Sequence, residues 1–294
     1  AGEMSVAGSA SMAVEHVNGG AASTGKSWSM GNQLTFTGGG ELDNGMNVTL
    51  SFILDEADPT PGPFDSHSLA ISMDGLGTLK FHGEGGGSAV GDMDGSAAGG
   101  IWDNFQVAAD EPKSGKSSDD MLQYTLPTVM DGLALNTSYT PGGTGFGGES
   151  SSVSWSATYT GVEGLTVAYG TGEDNTTAVE ADATAWKVSY AYGPITVTAT
   201  DLEYDHGTNT SDRDMESQAI SYTVSDEISI TYGVEEITDG SASSEKAEFE
   251  SISASYTSGG MTVTVSSQEA KNHSYSTTAT EDNERWAISA AFAF

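Results

Sequence analysis

"ISYTVSDEISITYG", residues 220–233, decides how the whole chain is read. Apolar residues fall on alternate positions, Ile220, Tyr222 and Val224, then Ile228, Ile230 and Tyr232, around the polar turn Ser225-Asp226-Glu227. Period two on both sides of a turn is the pattern of a β-hairpin with one apolar face. The pattern recurs as "ATYTGVEGLTVAYG" (157–170), "VSYAYGPITVTAT" (188–200) and "ASYTSGGMTVTVS" (254–266). Each copy has a tyrosine on its apolar face shortly before the turn: Tyr159, Tyr192, Tyr222 and Tyr256. An amphipathic ring at that recurring place suits a boundary between hydrocarbon and headgroups.

Turn-like sites centred near residues 44, 75, 131, 162, 193, 226 and 259 are spaced by 31, 56, 31, 31, 33 and 33 residues. Between them lie longer polar connections at 18–25, 58–65, 86–119, 143–150, 172–180, 206–212, 239–245 and 273–282. Seven short turns alternating with eight long loops predict sixteen strands. Segregation of loop length by parity is the signature of a transmembrane antiparallel β-barrel, with short periplasmic turns and long outer loops. A soluble sandwich has no cause to sort its loops in this way. Along the strands one face is apolar (Met46, Val48, Leu50, Phe52, Leu54) and the other polar (Asn47, Thr49, Ser51, Asp55), as lipid outside and water inside require. The run near 243–251 breaks phase at Phe249, where a bulge or a misplaced strand start is expected.

Composition agrees. Among 294 residues, 42 are acidic and nine are Lys or Arg, a formal charge of −33 that excludes a nucleic-acid partner. The 38 glycines disfavour helices, no apolar run approaches a membrane helix, and "AGEMSVAGSA" reads as a mature end left by processing. There is no cysteine, and therefore no disulfide, thiolate nucleophile or Cys-type zinc site. The five histidines are scattered without metal-binding spacing, and no nucleophile elbow, Walker loop or dinucleotide fingerprint appears, so the chain is not expected to be an enzyme.

Three segments carry a family resemblance. "RWAISAAFAF" ends on Phe294, "SLAISMDGLGTLKFHGEGG" covers 68–86, and "DDMLQYTLPTVMDGLALNTSYTP" covers 119–141. With these the chain resembles the general porins of Gram-negative outer membranes, most of all the alphaproteobacterial ones. The resemblance implies one barrel over residues 1–294, integral in the outer membrane and assembled as a homotrimer. It also implies a third loop, residues 86–119, folded into the pore as a constriction, and an assembly signal in the last strand. The anomalous 56-residue interval falls at that loop.

The expected constriction residues are Glu84, Asp92, Asp94, Asp103, Asp110 and Glu111, with Lys80 and His82 on the strand that leads into the loop. Alternation also turns Lys187 and Arg285 inward. Window 84–120 holds eight acids against Lys113 and Lys116, a net −6. General porins usually oppose such carboxylates with a cluster of wall arginines, whereas this chain has only Arg213 and Arg285. An electronegative, cation-selective pore for ions and small hydrophilic solutes is therefore expected, with no cofactor. "GDMDG" (91–95) offers Asp92 and Asp94 as Ca²⁺ candidates, though without the spacing or closing Glu of an EF-hand. Two other functions compete: a substrate-selective channel, hinted at by Trp102 and Phe105, and a soluble acidic β-protein such as an adhesin.

Overall fold

Alternation of β-branched or aromatic residues with Ser, Thr, Ala and Gly is realised as strands throughout. The computed structural model describes residues 2–19, 25–55, 65–93, 95–105, 117–142, 150–175, 179–208, 212–240, 245–277 and 282–294. The first half contains β1 (Glu3–Gly19), β2 (Gly25–Glu41), β3 (Asn47–Asp55), β4 (Ser66–Met73) and β5 (Gly77–Glu84). Next come the two-residue β6 (Gly86–Gly87) and β7 (Ser117–Ser118), then β8 (Met121–Thr125) and β9 (Leu133–Thr140). The second half contains β10 (Ser152–Val162), β11 (Leu165–Asp174), β12 (Ala181–Tyr192), β13 (Ile195–His206), β14 (Arg213–Thr223), β15 (Ile228–Asp239), β16 (Ala247–Ser258), β17 (Met261–Lys271) and β18 (Asn283–Ala293).

β6 and β7 pair only with each other; the other sixteen form a closed barrel in which β18 returns to β1. Closure is the physical requirement here, since an open edge in lipid would leave a row of unpaired N–H and C=O groups. All seven tight turns fall where the hydropathy pattern placed them. Gly193 and Gly259, each the residue that reverses the chain, have φ of 57° and 59°, a conformation that a side chain disfavours. β1 and β2 are longer than the expected ten residues, at seventeen each, and β8 is shorter, at five.

The two barrel faces differ sharply. Outward lie Trp28, Met30, Trp155, Tyr169, Trp186, Tyr192, Ile220, Tyr222, Ile230, Ile252 and Phe292, all exposed. Inward, on β10 to β16, lie Ser154, Ser156, Ala168, Gly170, Ala183, Ala185, Thr200, Ser217, Gly233, Ala247 and Ser251, all buried. The outward apolar band stops before the loop ends. On β13 it runs Ile195, Val197, Ala199 and then changes to Asp201, Glu203, Asp205; on β16 it runs Tyr256, Ala254, Ile252 and changes to Glu250, Glu248. Much of the negative charge thus stands on the outer surface above the apolar belt. Several of these acids face each other across strands: Asp201 and Glu216, Glu236 and Glu248, Glu250 and Glu269.

The bulge expected at Phe249 is absent. The registers of β16 with β15 and β17 run unbroken through it, Phe249 facing Glu235 on one side and Ala270 on the other. Phe249 is in phase with Ala247 and Ser251 and points inward, where an aromatic partner awaits it. Register shifts occur instead at Tyr159/Val162 and at His67/Ser68.

Candidate functional site

Small inward residues of β9 to β16 face the described part of the segment between β5 and β8, residues 86–93 and 95–105. Ala89 N–H donates to Ser138 Oγ (3.0 Å), Val90 N–H to Ser154 Oγ (3.4 Å), Ala97 N–H to Thr200 Oγ1 (2.9 Å) and Ala98 N–H to Ser217 Oγ (2.9 Å). Wall hydroxyls thus accept from loop amides that water would otherwise have to satisfy. Two positions show how close the approach is. A Cβ on Gly170 would stand 3.1 Å from the Val90 Cα, and one on Gly233 would stand 2.6 Å from the Ala98 Cβ.

Apolar contacts reinforce the seat. Val90, Ile101 and Phe105 from the segment are buried with Ala183, Leu202, Met215, Ile237 and Phe249 from the wall, and Met93, Ala98 and Trp102 pack at the margin. Phe105 and Phe249 rings lie 6.0 Å apart, tilted by 37°. A large apolar side chain taken fully out of water contributes roughly 1.5–3 kcal/mol, so Ile101 and Phe105 together hold the segment firmly. Trp102 and Phe105 are therefore packing residues.

Of the expected constriction residues, Asp92 lies on a short 3₁₀ turn (Gly91–Met93) and accepts from the Gln123 side-chain amide at 2.5 Å. The other end of that amide faces His82 Nε2 at 3.3 Å, so a chain of three side chains links β5, β8 and the segment. Asp103 is exposed on a second 3₁₀ turn (Trp102–Phe105). Glu84 stands apart from them, beside His67 at 3.7 Å. Asp94, Asp110 and Glu111 lie outside the described residues. Among the described residues no three His, Asp or Glu side chains gather closely enough to hold a metal ion.

Lys80, Lys187 and Arg285 share the inward face, as alternation required, and Arg213 lies there as well. Both arginines are already paired: Arg213 with Asp239 at 3.1 Å, and Arg285 with Glu15 at 2.5 Å. Among the described residues Lys80 and Lys187 form no ion pair. Sequence reasoning missed one wall residue altogether. Glu235 of β15 is 1% exposed and accepts from the segment's backbone.

A closed sixteen-stranded barrel with an apolar outer belt and an inward-docked segment invites comparison with known families. The family model for Gram-negative porins matches residues 1–294. The chain belongs to the Gram-negative porin family. Solved porins have the same fold at low identity. An anion-selective porin from Comamonas acidovorans is 12% identical over 100% of both chains, with a TM-score of 0.74. OmpT of Vibrio cholerae lacking loop L8 is 14% identical over 100% of this chain and 99% of that one, at 0.73. A multiple mutant of Rh. blastica porin is 15% identical over 99% and 100%, at 0.72. No curated protein matches by sequence. This porin is an integral outer-membrane channel, not an enzyme and not a soluble adhesin.

Proposed function

We propose that this porin is a passive, cation-preferring pore for ions and small hydrophilic solutes, narrowed by segment 86–119 and assembled as a homotrimer in outer-membrane lipid. The neutralisation of both arginines carries the selectivity reading. With Arg213 and Arg285 each held by a carboxylate, Lys80 and Lys187 are the inner-wall cations with no ion-pair partner among the described residues. Against them stand Asp92 and Asp103 of the segment, and its sequence also carries Asp94, Asp110 and Glu111, which lie outside the described residues. Carboxylates in a narrow passage with low-dielectric walls raise the local cation concentration and repel anions. That a porin of this fold is described as anion-selective fits the view that the barrel does not set the sign and the lining charges do. Saturable solute binding has less support, because Trp102 and Phe105 face the wall cluster. In this reading conduction requires no bound metal. The trimer reading draws on β1 and β2, whose outward Met4, Trp28 and Met30 are the barest large apolar side chains of the first two strands; chemical cross-linking in mild detergent tests it.

Reversal potentials across a planar bilayer in a KCl gradient test the selectivity. Cation preference is expected at low ionic strength, fading as the Debye length falls from ~30 Å at 0.01 M to ~3 Å at 1 M. The triple variant D92N/D94N/D103N should lose more of it than D182N/D205N/E284Q, whose targets face outward. Absence of any cation preference, or equal losses in both variants, would overturn the reading.

A further inference from the structure

The segment's tip is held by one wall carboxylate. At Gly99 and Gly100, φ is 85° and 70°, and this left-handed pair turns the following amides to one side. Gly100 N–H donates to Glu235 Oε1 at 3.0 Å and Trp102 N–H to Oε2 at 3.1 Å, with the Ile101 amide between them also bonded to the carboxylate. Successive amides converging on one anion form a nest, a concavity of positive partial charge. Here the anion belongs to the barrel. The Ser96 hydroxyl is a fourth donor to Glu235, and the same oxygen lies 2.9 Å from Ser217 Oγ. No other described wall residue takes more than one loop amide and carries a full charge as well.

We infer that Glu235 is the positioning residue of this pore: it fixes the tip of segment 86–119 and so sets the aperture. The inference rests on the reading of that segment as the constriction. Hydroxyl acceptors such as Ser138, Ser154 and Thr200 contribute neutral hydrogen bonds, whereas bonds to a charged acceptor are roughly twice as strong. Removing the carboxylate also strands the three amides that it satisfies. The tip should then open away from the wall more often, with the burial of Ile101 left to hold it.

The chain has no cysteine, so a single introduced thiol reports on the tip alone. Ile101 is 1% exposed, which shields a thiol placed there. In I101C, labelling by a water-soluble maleimide should be slow; in I101C/E235A it should be about tenfold faster or more. E235A alone should give altered single-channel conductance with added substates and a shifted reversal potential. E236Q, a change at the neighbouring outward glutamate, should leave all of these unchanged. Folded electrophoretic mobility verifies assembly, and the isosteric E235Q carries the same test if E235A does not assemble. Equal labelling with and without the carboxylate overturns Glu235 as the anchor. Faster labelling with unchanged conductance and selectivity leaves the anchor in place but shows that the segment does not set the aperture, which overturns the proposal through the constriction reading.

Discussion

Arg285 and Glu15, 270 residues apart in sequence, are joined across the seam where β18 meets β1: Nε lies 2.8 Å and Nη2 2.5 Å from the same carboxylate oxygen. Arg285 Nη1 also donates to Gln268 on β17, and Ser27 on β2 donates to the other Glu15 oxygen, so four strands are linked through one ion pair. The pair lies on the inner face and is mostly covered, which makes its two halves unequal to lose.

Removing one partner leaves a partly buried charge without its counterion, so E15Q and R285Q should each destabilise the assembled barrel by about 1–3 kcal/mol, between exposed and buried pairs. The double variant should lose less than the sum. Selectivity should move in opposite senses, with E15Q reducing cation preference by freeing an inward arginine and R285Q increasing it. Thermal unfolding in detergent and reversal potentials measure the two effects; additive stability losses would rule out the coupling.

Phe294 completes the same seam. Its N–H donates to Gly8 O at 2.9 Å, Gly8 N–H donates to its carbonyl at 2.7 Å, and its ring covers Gly8 so closely that a Cβ there would collide with it. Ending the chain at Ala293 removes both bonds and an exposed aromatic suited to the headgroup region. The yield of assembled barrel should fall several-fold in a refolding assay. Conductance of the molecules that do assemble should stay near the parent value. G8V should reproduce the assembly defect with Phe294 still in place.

The strand plan was legible because lipid and water impose opposite demands on the two faces, and period two records both. Turn positions followed from Gly, Asp and Asn at regular intervals, and Lys80, Lys187 and Arg285 were correctly turned inward by the same count. Phe249 faces inward because its aromatic partner, Phe105, comes from a segment 144 residues earlier, a contact that local alternation does not register. Glu235 was hidden among 42 acids. Its inward phase, between the outward Val234 and Glu236, was the available signal, but phase alone does not say which amides will arrive opposite it. The ion pairs that neutralise the arginines were equally silent, since Glu15 and Asp239 meet their partners only through closure and register.

Outside the barrel, the facing acids Glu250 and Glu269 sit directly opposite on β16 and β17. Like charges in that relation are destabilising by roughly 0.2–1 kcal/mol, an effect that salt screens. E250Q should therefore raise the melting temperature of the assembled porin at low ionic strength. In 1 M salt the gain should shrink toward zero. A gain that persists in high salt would place its origin in packing.

Gly233 offers the most direct handle on the seated segment. It is inward on β15, two residues before Glu235, and a Cβ there would press on the Ala98 Cβ at 2.6 Å. G233V therefore leaves the Glu235 carboxylate intact but removes the room beside it. Overpacking of this kind costs roughly 1–3 kcal/mol, and the strain has two outlets. The wall is fixed by ladders to β14 and β16, whereas Ala98 belongs to an irregular segment, so the segment should yield. Displacement can only be away from β15, toward the open side of the lumen. Single-channel conductance in 1 M KCl, where surface charge is screened, should consequently fall, with the assembled form retained on electrophoresis. G233A should give a smaller decrease in the same direction. Unchanged conductance in both variants would mean that the tip has slack that the close Gly233–Ala98 approach does not allow.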